Sequence, residues 1–360
     1  MAELTTVPFG PQHPVLPEPI HLDLEISDEK VVRAVPSIGY VHRGLEKLVE
    51  KKDFKQYLFV AERVCGICSF GHGWGYAKVI EGMMEIDVPR RADYLRTVWH
   101  ELSRLHSHLL WLGLGADALG FESIFMHAWR LRETVLDLFE ETTGGRVIFS
   151  VCDIGGVRRD LTDSMRKEMM GKLSALRKDI EDMARVFLYD DTVQYRLEGV
   201  GVLSSADATA LGCVGPLARA SGIANDYRMA DDGGAYRDLH FRPVLAHEGD
   251  CLARVRVRIE ELYQSIDLIL GALDNLPEGP IAVPVRGMPK GEYFTRVEQP
   301  RGEAVYYARG NGTKFLSRFR LRTPTNSNLP SLVKMLEGCD LADVPNIILT
   351  IDPCISCCER

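Results

Sequence analysis

The sequence predicts an α+β, predominantly helical protein in which a central bundle of long helices carries a small β lobe at each end. Three observations predict it. Apolar residues recur at spacings of three and four through the middle of the chain, as amphipathic helices require. Near the N-terminus they alternate with polar residues, and after Pro277 the texture turns to proline, glycine and short β-type runs. At 360 residues the chain exceeds the roughly 250–300 at which single cores stop growing, yet no shift in composition marks a clean cut. We read 1–360 as one unit: a β lobe over 1–40, a helical core over 41–276, and a β and loop lobe over 277–360.

Residues 20–26 alternate and pair with 31–35 across the polar turn Ser27-Asp28-Glu29-Lys30, giving a β-hairpin. Leu95, Val98, Leu102, Leu105, Leu109 and Leu112 set a helix over about 91–114 with one buried face. A second helix, about 123–141, stops near Gly144-Gly145. A third, about 163–187, carries a stripe from Met165 through Leu173 and Ile180 to Phe187 that reads as core, and a fourth, about 248–273, buries Val255, Ile259, Leu262, Ile266 and Ile269. Gly310-Asn311-Gly312, between 304–308 and 314–321, signals a second hairpin. A short helix over 329–336 precedes 346–351, an apolar run read as a strand that delivers the last cysteines.

The composition, 46% hydrophobic and 26% charged, is that of a globular protein and excludes disorder. A net charge of −8 removes the electrostatic reason to bind nucleic acid or an anionic membrane surface. No run reaches the ~18–20 apolar residues that cross a bilayer, and the first residues lack a signal peptide's basic and apolar segments. The expected location is cytoplasmic, with membrane attachment made through partners. Nine cysteines, an odd number, then favour thiol or metal chemistry over disulfides.

Four of them form two pairs, Cys65-Gly66-Ile67-Cys68 and Cys354-Ile355-Ser356-Cys357. A two-residue gap lets both sulfurs of a pair face one metal, with Gly66 expected to relieve crowding in the turn. Four thiolates suit zinc, an iron–sulfur cluster or a soft nickel or iron centre, and disfavour magnesium, calcium and manganese. Spacing alone leaves a structural zinc staple and a redox centre both open.

The flanking residues separate these. Arg63-x-Cys65-Gly66-x-Cys68-x-x-x-His72 with Asp352-Pro353-Cys354-x-x-Cys357 resembles the paired signatures of nickel-iron hydrogenase large subunits. The resemblance extends through Gly10-Pro11-Gln12-His13-Pro14, His42-Arg43-Gly44-Leu45-Glu46, Gln299-Pro300-Arg301-Gly302 and Thr323-Pro324-Thr325-Asn326, and so spans the chain. It implies a nickel and an iron, the iron holding one carbon monoxide and two cyanides. Cys65 and Cys354 would bind nickel terminally, while Cys68 and Cys357 would bridge the metals. Arg301 would lie over the open position and, with Thr325, hydrogen-bond a cyanide, Pro300 and Pro324 standing beside them in the cofactor-binding motifs. Asp352 would share the hydrogen bonds around Arg301, and His72 would bond near a bridging sulfur. Glu18 stands where this branch carries its first proton-transfer carboxylate. Glu46 matches the ligand of a second metal, magnesium or iron, near the C-terminus. His100, His106 and His108 match no ligand set and read as packing or surface histidines.

The first two of the flanking motifs also resemble the 49 kDa quinone-site subunit of respiratory complex I, a relative without the metal centre. All four cysteines are retained here, and Pro17 and Glu18 replace that relative's usual histidine and glycine. The chain is most similar to energy-converting hydrogenases fed by ferredoxin; carbon monoxide-linked hydrogenases and a nickel-free, complex I-like subunit are the alternatives. The implied reaction is reversible reduction of two protons to dihydrogen. Cys152, Cys213, Cys251, Cys339 and Cys358 lack cluster spacing; Cys358 adjoins Cys357 but is not expected to reach the same metal, and the other four read as buried small hydrophobes. Electrons are therefore expected from a separate iron–sulfur small subunit, and ion translocation from integral membrane subunits, alongside further hydrophilic subunits.

Overall fold

The computed structural model describes residues 4–230 and 233–360. Strands β1 (Thr5–Phe9), β2 (His21–Ser27) and β3 (Lys30–Ser37) form an antiparallel sheet in which Ser27 pairs with Lys30. The two loop residues, Asp28 and Glu29, have φ of 49° and 63°, the left-handed pair that a tight hairpin turn requires. Leu22 and Leu24 alternate inward into the core.

Helices α1 (Leu45–Leu48), α2 (Phe54–Glu62) and α3 (Ser69–Met83) follow. The long helices come next: α4 (Arg90–Ala118), α5 (Glu122–Thr143) and, after the short β4 (Cys152–Asp153) and β5 (Gly156–Val157), α6 (Asp163–Tyr189). Their ends follow local chemistry. Gly144 closes α5 at φ 84°, and the Thr162 side chain caps α6 by accepting from the Met165 N–H at 3.3 Å. Short helices α7 (Asp191–Leu197), α8 (Ser205–Ala210) and α9 (Pro216–Ala220) and a 3₁₀ turn at Tyr227–Met229 lead to α10 (Cys251–Asp274), capped by Asp250. The expectation of one buried face on α4 is too modest: His100, Glu101, Arg104, His106 and His108 are buried along with its leucines. The reason is position, since α3, α5, α10 and α12 (Val344–Ile351) all pack on it.

The C-terminal lobe is an antiparallel sheet of β6 (Lys290–Gln299), β7 (Gly302–Asn311) and β8 (Leu316–Arg322), followed by α11 (Pro324–Leu336), α12 and α13 (Ile355–Cys358). Residues 346–351 are thus helix, not the expected strand. An apolar run buried on all sides has neither the helical nor the strand period, and Pro345 in the first turn favours the helix. One contiguous core draws residues from the N-terminal sheet, the helices, the C-terminal sheet and both cysteine loops. Among the described residues, no helix is long and apolar enough to cross a membrane.

Candidate metal centre

The first cysteine pair lies on the connection between α2 and α3, with Cys68 at the N-cap of α3. The second follows α12, where Asp352 turns the chain through a left-handed conformation (φ 56°, ψ 60°) and Cys354 caps α13. The loops meet first thiol to first and second to second. Cys65 Sγ lies 3.3 Å from Cys354 Sγ, and Cys68 Sγ 3.3 Å from Cys357 Sγ. The sulfurs of Cys65, Cys68 and Cys357 fall within 4.8 Å of one another, and all four residues are buried. Gly66 does not relieve crowding as expected: its φ is not left-handed, and an added Cβ would make ordinary contact with Val147 at 3.5 Å.

Side chains from distant elements position these loops. Arg43 reaches the carbonyls of Arg63 (3.0 Å), Val64 (2.9 Å) and Ser356 (3.0 Å), so one guanidinium clasps both cysteine loops. Glu18 accepts from the Ser356 N–H (3.0 Å) and hydroxyl (2.6 Å), which fixes it at a residue lying between the two cysteines of the second pair. Glu359 accepts from the Gly39 and Val41 N–H groups. Arg43 lies within the His42-Arg43-Gly44-Leu45-Glu46 motif, whose resemblance implies no role for it, and no sequence signal points to Glu359.

His72 Nε2 faces Cys357 Sγ at 3.3 Å and Cys68 Sγ at 3.5 Å. Its Nδ1 faces the Gln299 amide nitrogen (3.2 Å) and the Tyr306 hydroxyl (3.1 Å). The Tyr306 hydroxyl donates to the Gly71 carbonyl at 3.2 Å, and the Gln299 N–H at Nδ1 puts the imidazole proton on Nε2, aimed at the two sulfurs. Gln299 and Tyr306 come from β6 and β7, and the sequence reading missed their role. Pro300 and Arg301 form the tip of that hairpin, since Gln299 pairs with Gly302. Gly215 lets the tip come close, because a Cβ there would stand 2.2 Å from the Arg301 carbonyl. Arg301 donates to the Asp352 carbonyl (2.9 Å) and carboxylate (2.7 Å) and to Ser107 Oγ (3.3 Å). Asp352 Oδ2 is buried with no hydrogen-bond partner among the described residues. Pro324 opens α11, and Thr325 beside it accepts from the Cys354 N–H at 3.1 Å, leaving the hydroxyl proton for another acceptor.

Electrostatics bear on what these sulfurs can hold. Hydrogen bonds from Cys354, Cys357 and Cys65 hold the Cys68 thiol well below its usual range, and its N-cap position works the same way. Burial and then the neighbouring thiols push Cys357 well above. Four buried sulfurs at contact distance cannot all ionise unless a cation lies among them. The donor set therefore fits a soft metal centre.

The resemblance leads one to expect Glu46 to hold a second metal near the C-terminus. Glu46 does reach the C-terminal residues, but its carboxylate is taken by the Leu321 N–H (2.9 Å), Arg320 (2.9 Å) and Arg360 (3.0 Å). Guanidinium groups supply the positive charge there, and the donors do not fit a second metal. His100 bonds to the Glu298 carbonyl, His106 takes a hydrogen bond from Arg132, and His108 pairs with Glu261, all inside the core. Of the remaining cysteines, Cys152, Cys213, Cys251 and Cys358 are buried and Cys339 half-buried.

Fold and site together define a class: a helical protein whose two ends close on one buried four-thiolate centre. The family described as nickel-dependent hydrogenase matches residues 43–114, and that described as the 49 kDa subunit of respiratory-chain NADH dehydrogenase matches residues 118–287 and 284–360. The membrane-bound hydrogenase subunit alpha of Pyrococcus furiosus is 39% identical over 371 residues, covering 98% of this chain and 87% of the relative. The carbon monoxide-induced hydrogenase of Rhodospirillum rubrum is 39% identical over 357 residues, covering 99% of both. A chain of the membrane-bound sulfane sulfur reductase, an archaeal respiratory membrane complex, superposes with a TM-score of 0.94 at 31% identity, covering 99% of each. The chain belongs to the family that unites nickel-iron hydrogenase large subunits with the 49 kDa subunit of respiratory complex I.

Proposed function

We propose that this chain is the catalytic large subunit of an energy-converting nickel-iron hydrogenase, interconverting two protons and two electrons with dihydrogen. The observation that carries the reading is the meeting of Cys65 with Cys354 and Cys68 with Cys357 beneath Arg301 and Asp352. A complex I-like subunit without metal has no use for four buried thiols at contact distance.

Cys65 and Cys354 would hold nickel, and Cys68 and Cys357 would hold both nickel and an iron carrying carbon monoxide and cyanide. When bound, that group supplies two-electron redox chemistry and heterolytic activation of dihydrogen. The chain's own residues do the rest. His72 directs its Nε2 proton at Cys68 and Cys357, which moderates the basicity of both sulfurs. Asp352 and Ser107 lock the Arg301 guanidinium in one orientation over the site, and Thr325 offers its free hydroxyl proton beside Cys354, with Pro300 and Pro324 stiffening the two turns. Glu18, held on Ser356 in the loop between Cys354 and Cys357, would exchange protons with a terminal cysteine and pass them toward the surface.

Electrons reach the centre through an iron–sulfur small subunit, with reduced ferredoxin as donor. Among the described residues the one grouping of three or more possible metal ligands is at the centre itself, which supports a separate electron carrier. Further hydrophilic and integral membrane subunits anchor the chain to the cytoplasmic face of the membrane and couple turnover to ion translocation, in keeping with the membrane complex that supplies the superposing chain.

Infrared spectroscopy with metal analysis, on the anaerobically purified complex, tests this. Carbon monoxide and cyanide bands with about one nickel per chain are expected, and Cys357→Ser should abolish both. Glu18→Gln should keep the metals but slow hydrogen–deuterium exchange by about 10²-fold. Zinc, or no metal and no such bands in matured protein, would end the hydrogenase reading.

A further inference from the structure

A second polar assembly lies in the core between α4, α9, α10 and β6. Arg219 is its hub, bonded to Glu261 (2.7 Å), Glu298 (2.8 Å) and Asp226 (3.1 Å). Arg228 extends it from Asp226 (2.7 Å) to Glu101 (3.3 Å), and Arg104 closes it on Glu101 at 3.1 Å. None of these side chains is more than 1% exposed. The directly bonded groups are unequal: four carboxylates, Glu101, Asp226, Glu261 and Glu298, face three guanidiniums, while Arg258 of α10, also buried, acts on Glu261 only through space and bonds to the Arg254 carbonyl. An undercompensated charge out of reach of water is expensive, which favours binding a proton within the assembly.

The contacts say where. Glu101 has two arginines, the Tyr236 hydroxyl (2.7 Å) and the Ser265 hydroxyl (2.8 Å). Asp226 takes two bonds from Arg228 besides its ion pair with Arg219, and Glu261 takes one from Arg219 Nε at 2.8 Å, with the Nη2 of the same guanidinium at ion-pair distance, plus His108 at 2.7 Å. Glu298 has one nitrogen of Arg219, which also serves Asp226 and the Asn225 carbonyl, and the Tyr227 N–H at 3.1 Å. It is the least compensated of the four.

We infer that Glu298 is an internal proton-storage site, a carboxylic acid that takes up and releases the one exchangeable proton of this buried cluster. Burial, then the Asp226 charge, push its carboxyl up to about 7 against the opposing pull of Arg219. The competing carrier, His108, is lowered to about 4 by burial, although its bond to Glu261 works the other way. The groups facing Glu298 are Arg219 from α9, Asp226 and Arg228 from the 3₁₀ turn, Glu261 from α10, and Arg104 and His100 from α4 on its carbonyl. Its register partner on β7, Glu303, is neutralised by Arg296 and Arg322, and Lys78 of α3 sits over the Tyr227 ring.

The site stands close to the centre along the chain. Gln299, the next residue, holds His72, and Arg301 follows two positions later. His108 adjoins Ser107, which holds Arg301. Loss of the Glu298 proton therefore places a negative charge behind the hairpin tip that presents Arg301. That consequence rests on the proposed function; the stored proton does not, because it needs no metal.

The test is infrared titration of the complex in water and deuterium oxide. Wild-type minus Glu298→Gln spectra should contain a carboxylic-acid C=O band that deuterium shifts and that disappears with a midpoint near pH 7. Other buried acids, Glu62 and Asp93, contribute equally to both proteins and cancel. Glu298→Asp, which keeps the acid, should move the band without removing it and serves if the glutamine variant does not fold. A difference spectrum without that band, or with protonated-imidazole bands that vanish in His108→Phe, would overturn the inference. Carbon monoxide and cyanide bands in the same spectra report separately on the hydrogenase reading.

Discussion

Glu62 sits at the end of α2, 2% exposed, with its carboxylate on Ser150 Oγ at 2.5 Å. Burial pushes it up to about 7 despite that hydrogen bond and the nearby Arg158 and Arg63 charges. Its folded value thus lies above the unfolded one. Between pH of about 4.5 and 7 the native state holds more proton than the unfolded chain, so its contribution to stability is full below that window and is lost as pH rises through it. Glu62→Gln, which cannot ionise, should match the wild type near pH 5 and exceed it by roughly 1–3 kcal/mol at pH 8. Thermal denaturation at the two pH values checks this, and an equal difference at both would mean that Glu62 is ionised throughout. His72 makes a different point at the same scale. A histidine four residues after a thiol could present either nitrogen to it, and only Gln299 and Tyr306, more than 220 residues away in sequence, settle which.

Among the elements, α3 shows how a poor helix sequence serves packing. Its glycines Gly71, Gly73 and Gly75 weaken the helix, yet each lets another element approach. A Cβ on Gly73 would meet the Glu62 side chain at 2.8 Å, and one on Gly75 the Tyr306 ring at 2.2 Å. Gly75→Ala gains about 1 kcal/mol of helix propensity. It must nonetheless displace a fully buried ring, and we expect a net loss of at least about 2 kcal/mol. Because Tyr306 accepts from the Gln299 amide that faces His72, the same change should shift the carbon monoxide and cyanide frequencies of the assembled centre. Chemical denaturation and infrared spectra read the two effects, and unchanged values for both would show that the ring has room to move. On α12, the helical turn rather than an extended strand lets the Leu349 carbonyl accept from Trp111 at 2.6 Å and brings Asp352 round beneath Arg301.

At the scale of the molecule, the two ends of the chain are one structure. The Val31 N–H donates to the Cys339 carbonyl and that of Leu341 to Glu29, so the first hairpin extends onto the segment before α12. Arg43 completes the closure by joining the cysteine loops. Arg43→Ala should leave the fold intact, lower stability by about 1–2 kcal/mol, and speed loss of metal to a chelator. Arg43→Lys should not restore retention, because one ammonium cannot span three carbonyls as the fork does. A rate of metal loss unchanged in the alanine variant would remove Arg43 from that role. The chain's own sequence determined the long helices, both hairpins and the two thiol pairs, because periodicity, capping and turn chemistry act over a few residues. Tertiary structure decided the rest: that 346–351 is helix, that Glu46 meets arginine, which nitrogen of His72 carries the proton, and that seven charged groups share one buried network. Each depends on partners brought together by the fold, as with Cys68 and Cys357, which are 289 residues apart along the chain but 3.3 Å apart in space. No local pattern encodes such a contact, since its energy exists only once the rest of the core has closed around it.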